Sequence, residues 1–310
     1  MHRLIAAIEY ATSMEANSLQ GSDASRRLLV ALAHPDDESF GPAGTIIHYA
    51  SQGVAVHYIC ATRGEAGHVD PGLLEGTTSV AELRTQELEC AARHLGLVSV
   101  RFLGYRDSGM ANSPENQNPA CLLQAPLEEV VAKIVGLIRQ IRPHVVLTFD
   151  AVGGSFHPDH LKINQATTLA FHAAGDPERF AHQREGGLAP YQPQKLYYMV
   201  FPLRWAKAAV RILPLFGQDP TAMGRNHDIN LKQMADQGSQ VVTTRINISP
   251  YLDASERAAR CHASQISGGY SHVPRFLRRW LFRFDRYARV VPPFEGDRIE
   301  RDLFAGVVED

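Results

Sequence analysis

Short, continuous apolar runs alternating with helical patterns constrain this chain most. Leu28–Ala33 (LLVALA) has the unbroken apolar character of a strand buried on both faces. Gly41–Ala50 follows as a helix, with Gly53 a plausible stop, and Val54–Thr62 (VAVHYICAT) reads as a second strand. Ser79–Leu95 carries Leu83, Leu88, Ala91, Ala92 and Leu95 at helical spacing and stops at Gly96. Val98–Leu103 reads as strand three, Leu127–Ile141 as a helix ended before Pro143, Val145–Phe149 as strand four and Leu161–Ala173 as another helix. This alternation implies βαβ units: an α/β, Rossmann-like, mostly parallel sheet with helices on both faces. In such sheets ligands bind beyond the carboxyl ends of the strands, at a topological switch point.

The rest is less regular. Residues 174–194 and 202–238 are rich in Gly, Pro and Gln and read as loops or an insertion. Lys195–Val200 and Val241–Ile248 are further strand candidates, and Leu252–Gln265 reads as a helix. Phe276–Arg289 holds Arg278, Arg279, Arg283, Arg286 and Arg289, and reads as a basic amphipathic helix packed on the domain. The organisation expected is an extension at 1–24, a main domain at 25–267 with its insertion at about 202–238, and a basic extension at 268–310 packing on the same domain.

Thirty-one Lys+Arg against 33 Asp+Glu leave a formal charge of −2, so no global basic field exists to hold nucleic acid. No apolar run reaches the ~20 residues that span a bilayer, so stable membrane insertion is not expected. The N-terminus lacks the apolar core of a signal peptide, and Cys60, Cys90, Cys121 and Cys261 form no CxxC. Free thiols in a reducing cytoplasm are the expectation. The sequence leaves homo-oligomerisation open.

Directly after strand one stands His34-Pro35-Asp36-Asp37-Glu38; after strand four come Asp150, a glycine-bearing turn and His157-Pro158-Asp159-His160. A lone His-Pro in a loop is usually surface. Two such clusters, each at the end of a core strand, converge on one rim. Two imidazoles and a carboxylate with an open fourth position make a zinc site of catalytic type. The i, i+4 histidine pair of the zincins is absent, and HPDDESFGPAG replaces the GxGxxG of a dinucleotide site.

These segments, with TRGEAG (Thr62–Gly67), RTQELECAARHLG (Arg84–Gly96) and HASQ (His262–Gln265), resemble the LmbE-like family that includes the GlcNAc-PI (PIG-L) de-N-acetylases and the deacetylases of mycothiol and bacillithiol precursors. The resemblance covers roughly Arg26 to Gln265 in the family's order. It implies a Rossmann-like fold, one Zn2+ per chain and hydrolysis of an N-acyl amide on an amino sugar or similar small polar compound. It makes His34, Asp37 and His160 the zinc ligands and Asp36 the general base. His157 becomes the oxyanion-stabilising histidine, with Asp159 orienting it and raising its pKa. Arg63 and Glu65 sit at a strand end on the expected rim, where they contact substrate or form a turn ion pair; Arg84 and His262 match family positions near the site, the alternatives being a solvated helix charge and a packing histidine. Where the sugar deacetylases often carry Tyr, two residues before the first His of HPDH, this chain has Ser155. Asp107 in GYRDSGM lies after strand three, where it either faces substrate or caps a turn. The same zinc chemistry would serve a thiol-conjugate amidase of this family, and a Rossmann-like sheet can also carry a non-catalytic sugar- or nucleotide-binding protein.

Overall fold

The computed structural model describes residues 25–77, 79–200, 203–223, 230–236, 241–266 and 282–309. The expected extension at 1–24 lies outside them. Seven strands form one sheet in the order β3-β2-β1-β4-β5-β7-β6. They are β1 (Arg27–Leu32), β2 (Ala55–Thr62), β3 (Ser99–Tyr105), β4 (Val145–Thr148), β5 (Lys195–Met199), β6 (Thr244–Asn247) and β7 (Phe284–Val291). The first five run parallel, whereas β7 is antiparallel to both β5 and β6. The mostly parallel α/β expectation holds.

The chain steps outward from β1 to β2 and β3, then returns to place β4 on the other side of β1. That reversal is the switch point, and it opens a crevice between the carboxyl ends of β1 and β4. Leu28, Leu29, Val30, Ala31 and Leu32 of β1 are fully buried, as expected for a strand covered on both faces.

Two groups of helices pack against the sheet. One contains α2 (Ala43–Ala50), α3 (Val80–Leu95) and α9 (Leu252–Cys261); in the other, α4 (Leu127–Ile141) packs on α6 (Pro158–Ala173). Right-handed crossovers to either side of β1 put these groups on opposite faces. Two one-turn helices, α1 (Asp37–Phe40) and α5 (Gly153–Phe156), follow β1 and β4; α7 (Leu203–Ile212) and α8 (Leu231–Asp236) lie in the 202–238 segment. Ser79 caps α3 by accepting from the Glu82 N–H at 3.2 Å, and Gly96 closes it at φ 74.

Three sequence expectations change. Residues 284–291, read as the end of a basic helix, form strand β7, and 267–281 lie outside the described residues. The alternating Phe284, Arg286, Ala288 and Asp285, Tyr287, Arg289 suit a strand, and Tyr287 is buried beneath β7 with its hydroxyl on Thr45 Oγ1 at 2.7 Å. Cys90 and Cys261, expected as free thiols, form a disulfide across 171 residues, a pairing that sequence separation hides; Cys60 and Cys121 are free and buried. Finally, α6 begins at Pro158 rather than Leu161, so most of HPDH is helical. Proline suits the first helical position because the N–H it lacks would be unbonded there anyway. Among the described residues, no helix is long and apolar enough to cross a membrane.

Candidate active site

The chain leaves β1 through Ala33 and His34 and turns at once into α1. The turn is tied by Asp37, whose Oδ2 accepts the N–H groups of His34 at 2.7 Å and Ala33 at 3.1 Å. Asp36 sits at φ 123, a region that costs a non-glycine residue ~1–3 kcal/mol unless its surroundings hold it there. They do so from three sides. The Asp36 N–H donates to Glu38 Oε2 at 3.0 Å. Arg84 Nη2 donates to Pro35 O at 2.6 Å and to Asp36 Oδ2 at 3.1 Å. Behind Glu38, His262 Nε2 lies 2.7 Å from Oε1, both side chains being fully buried.

The second cluster enters from β4. Asp150 Oδ1 accepts the N–H groups of Val152 and Gly154, shaping the turn before α5. Gly153 is required there: its φ is 64, and a Cβ would stand 2.8 Å from that of His160. His157 caps α6, its Nδ1 accepting the Asp159 N–H at 3.2 Å.

His34 and His160 meet across the switch point. His34 Nδ1 is 3.2 Å from His160 Nε2, and Asp37 lies beside both, its Oδ2 3.6 Å from the former and its Oδ1 3.4 Å from the latter. Donors about 2.1 Å from a tetrahedral zinc stand about 3.4 Å apart, and each of these pairwise distances is close to that. The outer ring nitrogens are engaged: His34 Nε2 faces Asp159 Oδ2 at 3.2 Å and Asp107 Oδ1 at 3.5 Å, and His160 Nδ1 donates to Gly153 O at 2.9 Å. Such partners fix the tautomer that turns the remaining nitrogen's lone pair to a metal. Phe149 stacks on His160 at 4.0 Å and limits ring rotation. Two overlapping groups, His34–His157–His160 and His34–Asp107–Asp159, keep one ligand atom each within 4.8 Å of one another. The first lacks a carboxylate. The second uses the His34 nitrogen on the far side from His160.

Electrostatics follow from burial and crowding. Burial opposes charge on His34, but Asp107, Asp159 and Asp37 outweigh it and raise its pKa well above 6.5. Burial, then His34, lowers His160 to about 3. Burial pushes Asp36 up to about 7 against the pull of Arg84, and also raises Asp37. For His157 the direction is opposite to expectation: burial, with His34 and His160 beside it, takes it well below 6.5. Asp159 cannot prevent this because its carboxylate turns away. Oδ2 accepts the Ser108 N–H at 2.9 Å, Oδ1 accepts the Ser108 hydroxyl, and only its backbone N–H reaches the His157 ring.

The residues read as near the substrate are largely engaged in support. Arg84 is buried, donating to the Gly64 and Pro35 carbonyls and Asp36, and a side chain at Gly64 would overlap its guanidinium. His262 is wholly buried behind Glu38 and presents no surface to a ligand. Arg63 lies over the Phe102 ring at 4.0 Å and donates to Thr85. Glu65 accepts the Asp107 N–H at 3.0 Å and joins two rim loops. The Ser155 side chain lies outside the described residues. Asp107 takes the turn-capping role the sequence allowed, its Oδ1 accepting the Gly109 N–H at 2.8 Å, and the same oxygen faces His34. Its place after a core strand was the available signal. Ser108 and Glu87 had none, since their partners Asp159 and Ser264 are distant in sequence.

A Rossmann-like sheet that gathers histidines and carboxylates at its switch point has the donor set of a metal-site hydrolase. The comparisons with known proteins narrow it. The GlcNAc-PI de-N-acetylase family (PIG-L) matches residues 29–171. The 1D-myo-inositol 2-acetamido-2-deoxy-alpha-D-glucopyranoside deacetylase of Kineococcus radiotolerans is 35% identical over 94% of this chain and 86% of its own. Its namesake from Thermobifida fusca is 36% identical over 78% and 84%. In fold, the chain resembles the N,N'-diacetylchitobiose deacetylase of Pyrococcus horikoshii at TM-score 0.60 and 21% identity, over 91% of this chain and 92% of that one. The chain belongs to the PIG-L family of LmbE-like deacetylases, and it is an amide-cleaving hydrolase.

Proposed function

We propose that this chain removes the acetyl group from an N-acetylated amino sugar in a zinc-dependent hydrolysis, with N-acetylglucosaminyl inositol the first substrate to try. One observation carries the metal part: His34 Nδ1 and His160 Nε2 stand 3.2 Å apart with one Asp37 oxygen near each, at 3.6 and 3.4 Å, and both outer ring nitrogens are engaged. The named activity of the deacetylases from Kineococcus radiotolerans and Thermobifida fusca supports the substrate.

His34, Asp37 and His160 would hold the ion. Bound there, zinc supplies a Lewis acid and a water whose pKa is lowered to about 7. Asp36 takes a proton from the attacking water. Burial has raised its affinity for that proton, to a pKa of about 7, which suits a base that must later release it to the leaving amine. Arg84 and Glu38 fix the carboxylate through the strained loop rather than through the substrate. His157 works as a neutral imidazole. Its Nδ1 accepts the Asp159 N–H, so the ring proton sits on Nε2, free to donate to the oxygen that becomes negative in the tetrahedral intermediate. Asp159 acts on His34 through its carboxylate and on His157 through its backbone, which couples the two rings.

The test is release of primary amine and acetate from N-acetylglucosaminyl inositol, N-acetylglucosamine and an N-acyl thiol conjugate. Turnover of the first, lost in Asp36→Asn with metal retained, is expected. Turnover of the thiol conjugate alone would move the assignment to the amidase branch.

A further inference from the structure

A second group of ligating side chains lies away from the rim. Cys90 is on α3 and Cys261 is the last residue of α9; their Cα atoms are 5.7 Å apart. His94 stands one helical turn beyond Cys90, on the same face of α3. Ligand atoms of Cys90, His94 and Cys261 all lie within 4.8 Å of one another. The cysteines are half-buried and His94 is exposed, so solvent and ions reach the group.

We propose that, once its two thiols are reduced, this Cys90–His94–Cys261 group is a second metal site, selective for a thiophilic divalent ion of the zinc class. A dithiol or phosphine reductant gives two electrons to the Cys90–Cys261 bond. The sulfurs take up two protons, and the reductant leaves as its disulfide or phosphine oxide. Metal binding then releases both thiol protons; two thiolates and the His94 imidazole become ligands, and water fills the fourth position. Two thiolates around a tetrahedral zinc stand about 3.8 Å apart, a separation that rotation of the two side chains provides with the helices left in place. Two sulfurs and one nitrogen select against Mg2+ and Ca2+, which prefer oxygen.

Disulfide and metal are alternatives, and each ties α3 to the end of α9. That junction matters because both elements support the Asp36 loop. Arg84 and Glu87 lie on α3, while His262 and Ser264 follow Cys261 directly. Ser264 donates to Glu87 from both its N–H at 2.7 Å and its hydroxyl at 2.6 Å, and His262 pairs with Glu38. A reduced chain therefore keeps a cross-link behind the loop when the ion is present. This inference stands independently of the activity at the rim.

The experiment titrates Co2+ into the full-length chain, oxidised and then reduced, under anaerobic conditions. The reduced chain should bind one more equivalent than the oxidised chain and develop a thiolate-to-cobalt charge-transfer band in the near ultraviolet. His34→Ala, which removes a rim ligand, should keep that band, and Cys261→Ser should lose it. Equal stoichiometry in both redox states with no band overturns the proposal, as does a band that survives Cys261→Ser. Should that variant fail to fold, the wild-type chain decides: Zn2+ must protect Cys90 and Cys261 of the reduced protein from alkylation in peptide mapping, and unprotected thiols refute the site.

Discussion

The segment up to α6 and the segment after it contribute to the same loop from opposite sides. The first, β1 through α6, runs parallel and carries every residue of the rim: His34, Asp36, Asp37, Asp107, His157, Asp159 and His160. The second adds parallel β5, extends the sheet with β7, which is antiparallel to its neighbours β5 and β6, and contributes from behind. His262 reaches Glu38, Asp285 accepts the Thr45 N–H at the start of α2, and Cys261 ties α9 to α3. Parallel strands bring their carboxyl ends to one edge, so they gather chemistry. The later segment supplies rigidity, which a metal triangle and a strained Asp36 both need. The family match at residues 29–171 follows the same division.

Substitutions on the two sides should therefore fail differently. The largest loss belongs to the rim: His160→Ala or Asp37→Ala should abolish stoichiometric metal and turnover together, read by metal analysis and amine release. Asp36→Asn should cost about 10²–10⁴ in kcat with metal retained, as expected for removal of a general base. Metal loss in that variant would mean that Asp36 and Asp37 have exchanged roles.

On the supporting side, His262→Ala leaves Glu38 charged and fully buried without its partner. A cost of about 3–5 kcal/mol is expected in urea unfolding, with kcat falling more than KM rises because the Asp36 loop loosens. Glu38→Gln combined with His262→Ala should recover part of the stability. Unchanged stability in His262→Ala would show that the pair does not hold the loop.

A smaller effect is expected from His57 on β2, whose Nδ1 lies 2.8 Å from Ser99 Oγ. Burial, then Arg27 and Arg101, lowers its pKa to about 4. The unfolded chain binds a proton near pH 6.5 that the folded chain refuses until about pH 4, so folding stability falls as pH drops through that window. The loss amounts to at most about 3 kcal/mol at 1.36 kcal/mol per pKa unit. His57→Gln should flatten this part of the stability–pH curve, and an unchanged slope would assign it to other groups. The smallest change is Ser79→Ala, which removes the α3 cap for about 1 kcal/mol and leaves turnover intact.

What the sequence made legible follows the same division. LLVALA, the helical spacing over Ser79–Leu95 with its Gly96 stop, and two His-Pro-Asp clusters at strand ends are local signals, and each leads to the element or rim described above. Long-range pairings had no local signal. The Cys90–Cys261 bond, the burial of His262 on Glu38 and the grip of Arg84 on Asp36 depend on helices meeting in space. Arginine-bearing residues 284–289 suggested a helix because alternation and helical amphipathicity are hard to separate over so short a stretch. The reversed shift of His157 required knowing where the Asp159 carboxylate points, which its neighbouring number does not tell.

Amide hydrolysis is proposed to depend on a metal held by His34, Asp37 and His160. The most direct measurement strips the oxidised protein of metal and follows acetate release from N-acetylglucosaminyl inositol as Zn2+ is added. Activity should be absent at the start and rise to a plateau at one equivalent per chain, with no rise in Asp37→Ala. Full turnover by the metal-free chain, or a wild-type response in Asp37→Ala, would contradict it.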